Sequence, residues 1–350
     1  MAITGAEQLK KDLKSGNIGQ LYLIYGEESY LKQHYLEMLQ KQVVDETFAD
    51  FNLHILEGEK MTAQALQDAV ESYPAMAERK MVIVKDFDPL KANSEWRDML
   101  TQLVSDLPEY ICLVFYFETL AFKPDKRVKL YSVFHKAGCF AEFSRLDSRE
   151  LVTWLQRHAK AEGKYLDTET GEYMLYLCGN SMVNLLTELA KVTAYCVTDT
   201  IERKHIDAVC VKTLDAVVFD LTDAIGAGAF SKAFQISREL IAQKNEPVML
   251  LSMVSKHIQR LYGVRLTAPL GQDAVMESLN NRSGFYVKKM TRTAQSFSLS
   301  WLRDAMLLCG ETDTLLKSTG VEKEKTWELF LLKLAEMQHD SNQRSHSGRR

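Results

Sequence analysis

The stretch LYLIYGEESYLKQ, residues 21 to 33, decides the fold. Its first five residues are an unbroken apolar run closed by Gly26, and the residues that follow place Leu31, Tyr35, Met38 and Leu39 at helical spacing. Strand, glycine turn and helix, with Ser29 as the expected N-cap, form the unit from which parallel sheets are assembled. Against the phosphate-binding pattern G-x-x-x-x-G-K-[ST], Gly26 and Lys32 fall in register. Leu31, however, stands where the second glycine belongs, and Gln33 stands where a hydroxyl is needed for Mg²⁺.

The same alternation continues outward from this stretch. FNLHILEG (51–58), KMVIVKDFD (80–88), YICLVFYFE (110–118) and CFAEFSRLD (139–147) read as four more strands, separated by helical stretches at 62–73, 95–105 and 126–136. The pattern predicts an α/β domain over 1–145 built on a doubly wound parallel sheet. After Leu146 the strand signal vanishes. RELVTWLQRHAKAEG (149–163) sets Leu151, Trp154, Leu155 and His158 on one helical face and stops at Gly163; SMVNLLTELAKV (181–192) and KHIDAVC (204–210) complete a small all-α unit over 146–212. A longer helical region, with Pro247 at one helix start, spans 213–338. The tail HDSNQRSHSGRR (339–350) has nothing to bury and is expected to be disordered.

With 350 residues, the chain exceeds one ordinary core, so two or three domains are expected. Apolar residues at 46% and charged residues at 26% describe a globular protein, and a net charge of −4 excludes a nucleic-acid footprint over the whole surface. No apolar run approaches the length of a membrane span, and no signal-peptide core opens the sequence, so a cytoplasmic protein without membrane contact is expected. The six cysteines are scattered, never as C-x-x-C, which favours reduced core thiols over disulfides or zinc. The histidines show no H-x-x-x-H spacing and no G-x-S-x-G elbow is present, so neither a metal, a cofactor nor nucleophilic catalysis is expected.

The charges around Lys32 argue against a working nucleotide site. Glu27 and Glu28 would face a triphosphate, and two like charges at about 4 Å repel by roughly 4 kcal/mol at an effective dielectric of 20. Later strands offer Asp86, Asp88 and Glu118 for a metal, yet Lys85 stands directly beside the first two. Gly26 and Lys32 are therefore expected to mark a degenerate, non-functional site.

That architecture resembles the delta subunit of the bacterial DNA polymerase III clamp loader. The resemblance rests on LYLIYGEESYL, on AERKMVIVKDFD (77–88) and on the long segment from Phe219 to Arg265; GFYVKKMTRTAQSFSLSWLRDAM (284–306) and ETDTLLKSTG (311–320) extend it in order along nearly the whole chain. It implies an AAA+-like sheet domain without a working phosphate loop, a helical lid over 146–212 and a helical collar over 213–338. Such a subunit binds the sliding clamp and opens its ring for loading onto primed DNA, while neighbouring tau/gamma and delta prime subunits, joined through the collar, accompany it. It has no catalysis of its own. Met182 stands where related ATPases carry an arginine that senses phosphate.

The resemblance also assigns a clamp contact in LQDAVESYPAMAERK (66–80). Pro74 ends the preceding helix near Tyr73. Carried over residue by residue, Met76 is the principal anchor, Ala75 the second contact and Tyr73 the contact from the helix end. Ala75 departs from the family's usual bulky residue and supplies less apolar surface. Spacing alone leaves open that Met76 folds back onto its own sheet. In FKPDKRVKLYSVFHKAG (122–138), Lys123, Lys126, Arg127 and Lys129 are either a solvated helix start or contacts to the DNA backbone. Two other functions stay open: an active ATPase of the same fold, and an adaptor for another replication protein.

Overall fold

The computed structural model describes residues 5–318, 320 and 322–347, with side chains described up to residue 340. The chain divides between Leu146 and Asp147 into two compact units.

In the first unit the order is α1 (Gly5–Ser15), β1 (Leu21–Tyr25), α2 (Ser29–Val43), α3 (Ala49–Asn52), β2 (Leu53–Glu57), α4 (Ala63–Glu71), β3 (Lys80–Lys85), α5 (Ser94–Ser105), β4 (Ile111–Tyr116), α6 (Lys129–Ala137) and β5 (Cys139–Glu142). The five strands form one sheet in the order β2-β3-β4-β1-β5. Every pairing is parallel, with Leu21 opposite Leu113 and Tyr22 opposite Cys139. Both faces of the sheet are covered, which is why β1 and β4 read as continuous apolar runs rather than alternating ones. Leu21, Leu23 and Tyr25 join a core with Val82, Val84, Phe115 and Phe134 on one face. Tyr22 and Ile24 join Leu36, Leu39, Met81 and Ile83 on the other. Edge strand β2 is only partly covered, and its Ile55 is exposed.

Two boundaries differ from the sequence reading. The N-cap of α2 is Glu28, whose carboxylate accepts the Tyr30 N–H at 3.3 Å, and Ser29 is already the first helical residue. Helix α6 begins at Lys129 rather than 126, because Asp125 first closes a turn, its side chain accepting the Arg127 N–H and its carbonyl the Val128 N–H.

The second unit is helical: α7 (Ser148–Ala161), α8 (Thr168–Cys178), α9 (Met182–Tyr195), α10 (Arg203–Val209), α11 (Leu214–Gly226), α12 (Phe230–Ala242), α13 (Pro247–Thr267), α14 (Gln272–Leu279), α15 (Gly284–Gln295), α16 (Leu299–Lys317) and α17 (Lys323–Ser347). A capping box of Asp147 and Glu150 starts α7. Helix α13 is the hub of the later helices: its Leu250, Val254, Ile258 and Leu261 meet Leu302 and Ala305 of α16 and Trp327, Phe330 and Leu334 of α17 in one core. The indole of Trp327 donates to Ser237 at 2.8 Å, so this buried ring leaves no polar atom stranded. Helix α17 continues to Ser347, where the sequence predicted a disordered tail from 339; no Pro or Gly interrupts 323–347, and propagating a helix adds a hydrogen bond per residue at no new nucleation cost. Residues 348–350 lie outside the described ones. All six cysteines are free thiols. Among the described residues no helix is long and apolar enough to cross a membrane.

Candidate functional site

The turn after β1 is closed by its own chain. Gly26 has φ +117°, and a Cβ there would lie 2.2 Å from the carbonyl oxygen of Phe143, just beyond β5. That same oxygen accepts the N–H of Glu28 at 2.9 Å, while the Phe143 N–H donates to the Tyr25 carbonyl at 2.7 Å. The backbone of Phe143 thus packs directly against the turn and occupies the Glu28 N–H. Lys32 is buried, and its ammonium donates to the carbonyl oxygens of Phe117 at 2.6 Å and Glu118 at 3.4 Å at the end of β4. Burial lowers the pKa of Lys32, opposed by the carboxylates of Asp86, Glu118 and Glu28.

The acids at the strand ends are similarly engaged. Asp86, itself at φ +49°, accepts the N–H groups of Glu118, Thr119 and Leu120 at 2.8 to 3.1 Å and the Thr119 hydroxyl at 2.6 Å. Burial pushes its pKa upward, but these hydrogen bonds outweigh it and hold the carboxyl below its ordinary value. Glu118 pairs with Lys85 at 3.2 Å, and Asp88 with Lys91 at 3.2 Å. Met182, the first residue of α9, is buried.

The connection between α4 and β3 is built the other way. The Ser72 N–H closes the last turn of α4 on Asp68, and Pro74 prevents its continuation. Three anchors hold the backbone behind the loop. Asn52, fully buried at the end of α3, exchanges two hydrogen bonds with Ala75, its amide nitrogen donating to the Ala75 carbonyl and its oxygen accepting the Ala75 N–H, both at 2.8 Å. Lys80 is buried at the start of β3, and its ammonium donates to the Ser72 carbonyl at 2.9 Å and hydroxyl at 2.6 Å. Arg79 donates to the carbonyls of Ile18, Gly19 and Ile111 at 2.9 to 3.2 Å.

On this fixed backbone the side chains point outward. Tyr73 is 84% and Met76 85% exposed, while Ala75 is half-buried. The Tyr73 ring leans on Tyr110 at 5.2 Å, and the Tyr110 hydroxyl donates to the Glu71 carbonyl at 2.7 Å. Met76 has φ +52°, a left-handed conformation that costs a non-glycine residue about 1 kcal/mol or more and persists only where the surroundings impose it. Isolated exposed apolar side chains are ordinary. Here two of them share a strained turn secured by buried polar groups.

Lys123, Lys126, Arg127 and Lys129 are all exposed before and at the start of α6. Arg127 is not an unencumbered cation: its guanidinium makes two hydrogen bonds to Asp125, at 2.9 and 2.8 Å, and holds the Asp125 carboxyl down to about 2.

Asn52 and Lys80 escaped the sequence reading. Their signals were present: Asn52 is a polar residue directly ahead of a strand, and Lys80 is a charge opening the apolar run MVIV. Neither signal says that both side chains converge on the same loop.

Comparison with known proteins bears on this arrangement. A family model described as DNA polymerase III, delta subunit, matches residues 22–144. Another, described as DNA polymerase III delta subunit, C-terminal domain, matches residues 215–334. A Bacillus subtilis protein named DNA polymerase III subunit delta is 28% identical over 333 residues, covering 93% of this chain and 95% of that protein. An Aquifex aeolicus protein named probable DNA polymerase III subunit delta is 21% identical over 308 residues, covering 85% and 86%. Among solved structures, a Bacillus subtilis DNA clamp loader delta protein matches with a TM-score of 0.61 at 25% identity, over 94% of this chain and 99% of that one. The two family models describe successive parts of one subunit and together match well over half of the sequence; the chain belongs to the DNA polymerase III delta subunit family.

Proposed function

We propose that this chain grips the sliding clamp through Tyr73, Ala75 and Met76, opens one interface of the ring for loading onto primed DNA, and hydrolyses no ATP itself. The observation that carries this reading is the pairing of two exposed apolar side chains with a backbone fixed by Asn52 and Lys80. A preorganised loop loses little conformational entropy on binding, so burial of its tip goes largely into affinity. Fully burying a Met side chain contributes about 1.5 to 3 kcal/mol, which makes Met76 the anchor. The exposure of Met76 speaks against its packing onto its own sheet.

Absence of hydrolysis is supported by the turn after β1, where Lys32 is engaged with carbonyl oxygens and Asp86 with backbone N–H groups. Opening follows from differential binding: a tip that fits the sprung ring better than the closed one shifts the ring toward open by that difference. Residues 146–212 serve as the lid and 213–338 as the collar that joins the tau/gamma and delta prime subunits. Leu307 and Leu315 on α16 and Leu329 and Leu332 on α17 are exposed, and they provide apolar surface for such neighbours. Lys123, Lys126 and Lys129 contact the DNA backbone within the assembly, with Arg127 partly neutralised by Asp125.

The test is the affinity of a Met76→Ser variant for purified clamp. Affinity should fall at least tenfold, about 1.4 kcal/mol, with thermal unfolding unchanged. Unchanged affinity rejects the site, and saturable ATP binding by the isolated wild-type chain rejects the reading of the closed turn.

A further inference from the structure

Three side chains that the clamp-binding reading does not use converge in the helices of 146–212. Cys178 is the last residue of α8, Glu188 lies in the middle of α9, and Cys210 caps the end of α10. Their sulfur and carboxylate oxygen atoms all lie within 4.8 Å of one another. Cys178 and Glu188 are buried, and Cys210 is half-buried. We propose that Cys178, Glu188 and Cys210 form a binding site for a thiophilic divalent cation of the zinc class.

The donor set suits such an ion. Two sulfurs and one carboxylate oxygen are ligands that Zn²⁺ takes in tetrahedral sites, at about 2.3 Å and about 2.0 to 2.2 Å. Tetrahedral angles at those lengths set neighbouring ligand atoms roughly 3.8 Å apart, so the observed spacing needs a contraction of no more than about 1 Å. Small rotamer adjustments supply it.

The surroundings suit the charge as well. Two thiolates and a carboxylate around a divalent ion leave one negative charge, and Lys191 already sits 2.6 Å from the Glu188 carboxylate to balance it. The same carboxylate accepts the Val211 N–H at 3.1 Å, which fixes its direction toward the end of α10. Both cysteines stand at helix C-termini, where the backbone dipole favours a cation. The neighbouring Asn184 amide donates to the Cys178 carbonyl at 2.8 Å and holds the end of α8 against α9. Burying a carboxylate is costly unless it is paired, and a site that gathers three ligands from three helices gives Glu188 a purpose beyond its single ion pair. A bound ion would fasten the ends of α8 and α10 to α9. No C-x-x-C spacing betrays the cluster, because its members are separated by ten and twenty-two positions along the chain.

The experiment uses the full chain, reduced and stripped with a chelator, titrated with Co²⁺ as a spectroscopic substitute for Zn²⁺. One equivalent should produce a near-ultraviolet thiolate-to-cobalt charge-transfer band and visible bands of tetrahedral intensity, both abolished by added Zn²⁺. Cys178→Ser and Cys210→Ser should each weaken binding at least tenfold and reduce the charge-transfer band. Glu188→Gln should weaken binding while keeping the two-thiolate band. Should Cys178→Ser fail to fold by circular dichroism, Cys210→Ser, at the less buried position, decides the matter. No charge-transfer band in the wild-type chain, or an undiminished band in Cys210→Ser, overturns the proposal.

Discussion

The turn after β1 and the loop before β3 lie at opposite ends of the same parallel sheet, and they dispose of their polar groups in opposite ways. At the first, the backbone of Phe143 lies against Gly26, Lys32 reaches carbonyls beyond β4, and Asp86 gathers three N–H groups, so both of these charged side chains already have protein partners. At the second, Asn52 and Lys80 hold the backbone from inside while the apolar side chains of Tyr73 and Met76 face outward. A binding site needs something unmet on its surface. At the first turn Lys32 and Asp86 are spent on groups of the protein itself, whereas the second leaves the apolar side chains of Tyr73 and Met76 exposed on a hydrogen-bonded loop.

Four substitutions probe that contrast. Gly26→Ala places a methyl group 2.2 Å from the Phe143 oxygen at a φ that L residues avoid, and should cost about 3 kcal/mol in urea unfolding. A cost below about 1 kcal/mol would mean that the turn has room to spare. Asn52→Ala strands the N–H and carbonyl of Ala75 and should cost about 2 kcal/mol, accompanied by faster protease cleavage between 73 and 77. If cleavage stays slow, the loop owes its form to something else.

Asp86→Asn keeps the shape but removes the charge that accepts several N–H groups, and should cost about 1 to 2 kcal/mol at neutral pH. The sign with pH is fixed by the depressed carboxyl. The unfolded chain takes up its proton near the ordinary value of about 3.9, the folded chain only at lower pH, so the contribution is complete above that value and disappears as pH falls through the folded one. Wild type and variant should therefore converge in stability on acidification. The smallest effect is expected for Lys32→Met, which keeps the apolar stem and removes a desolvated charge together with its hydrogen bonds. Its stability should change by no more than about 1 kcal/mol, and its clamp affinity should equal that of the wild-type chain.

Much of the scaffold was legible because its signals are local. Five runs bounded by Gly, Pro or acids gave five strands, and the two covered faces explain why those of β1 and β4 are unbroken. The substitution of Leu31 and Gln33 in the phosphate pattern was equally plain. What stayed hidden depends on residues brought together from afar. The carbonyl of Phe143 meets Gly26 across more than a hundred positions, and Asn52 reaches Ala75 from another element. Nothing at either position alone foretells its partner. Glu28 was missed as the cap of α2 because Ser29 offers an equally good side chain one residue later, and the choice between them follows from the bond of Glu28 to Phe143. The course of α17 past 339 was missed for a different reason: polar composition suggested disorder, whereas an uninterrupted helix needs only a folded turn behind it to continue.

Two of the three fasteners of the Tyr73–Met76 loop stand at the starts of neighbouring strands: Asn52, the last residue of α3, immediately precedes β2 and Lys80 opens β3, and those strands pair in register from Leu53 opposite Met81. The loop is therefore tied to the sheet from two sides, like a gear tooth cut from its wheel. On the clamp-binding reading proposed above, a rotation of that sheet would carry Met76 with it instead of being absorbed in a slack tether.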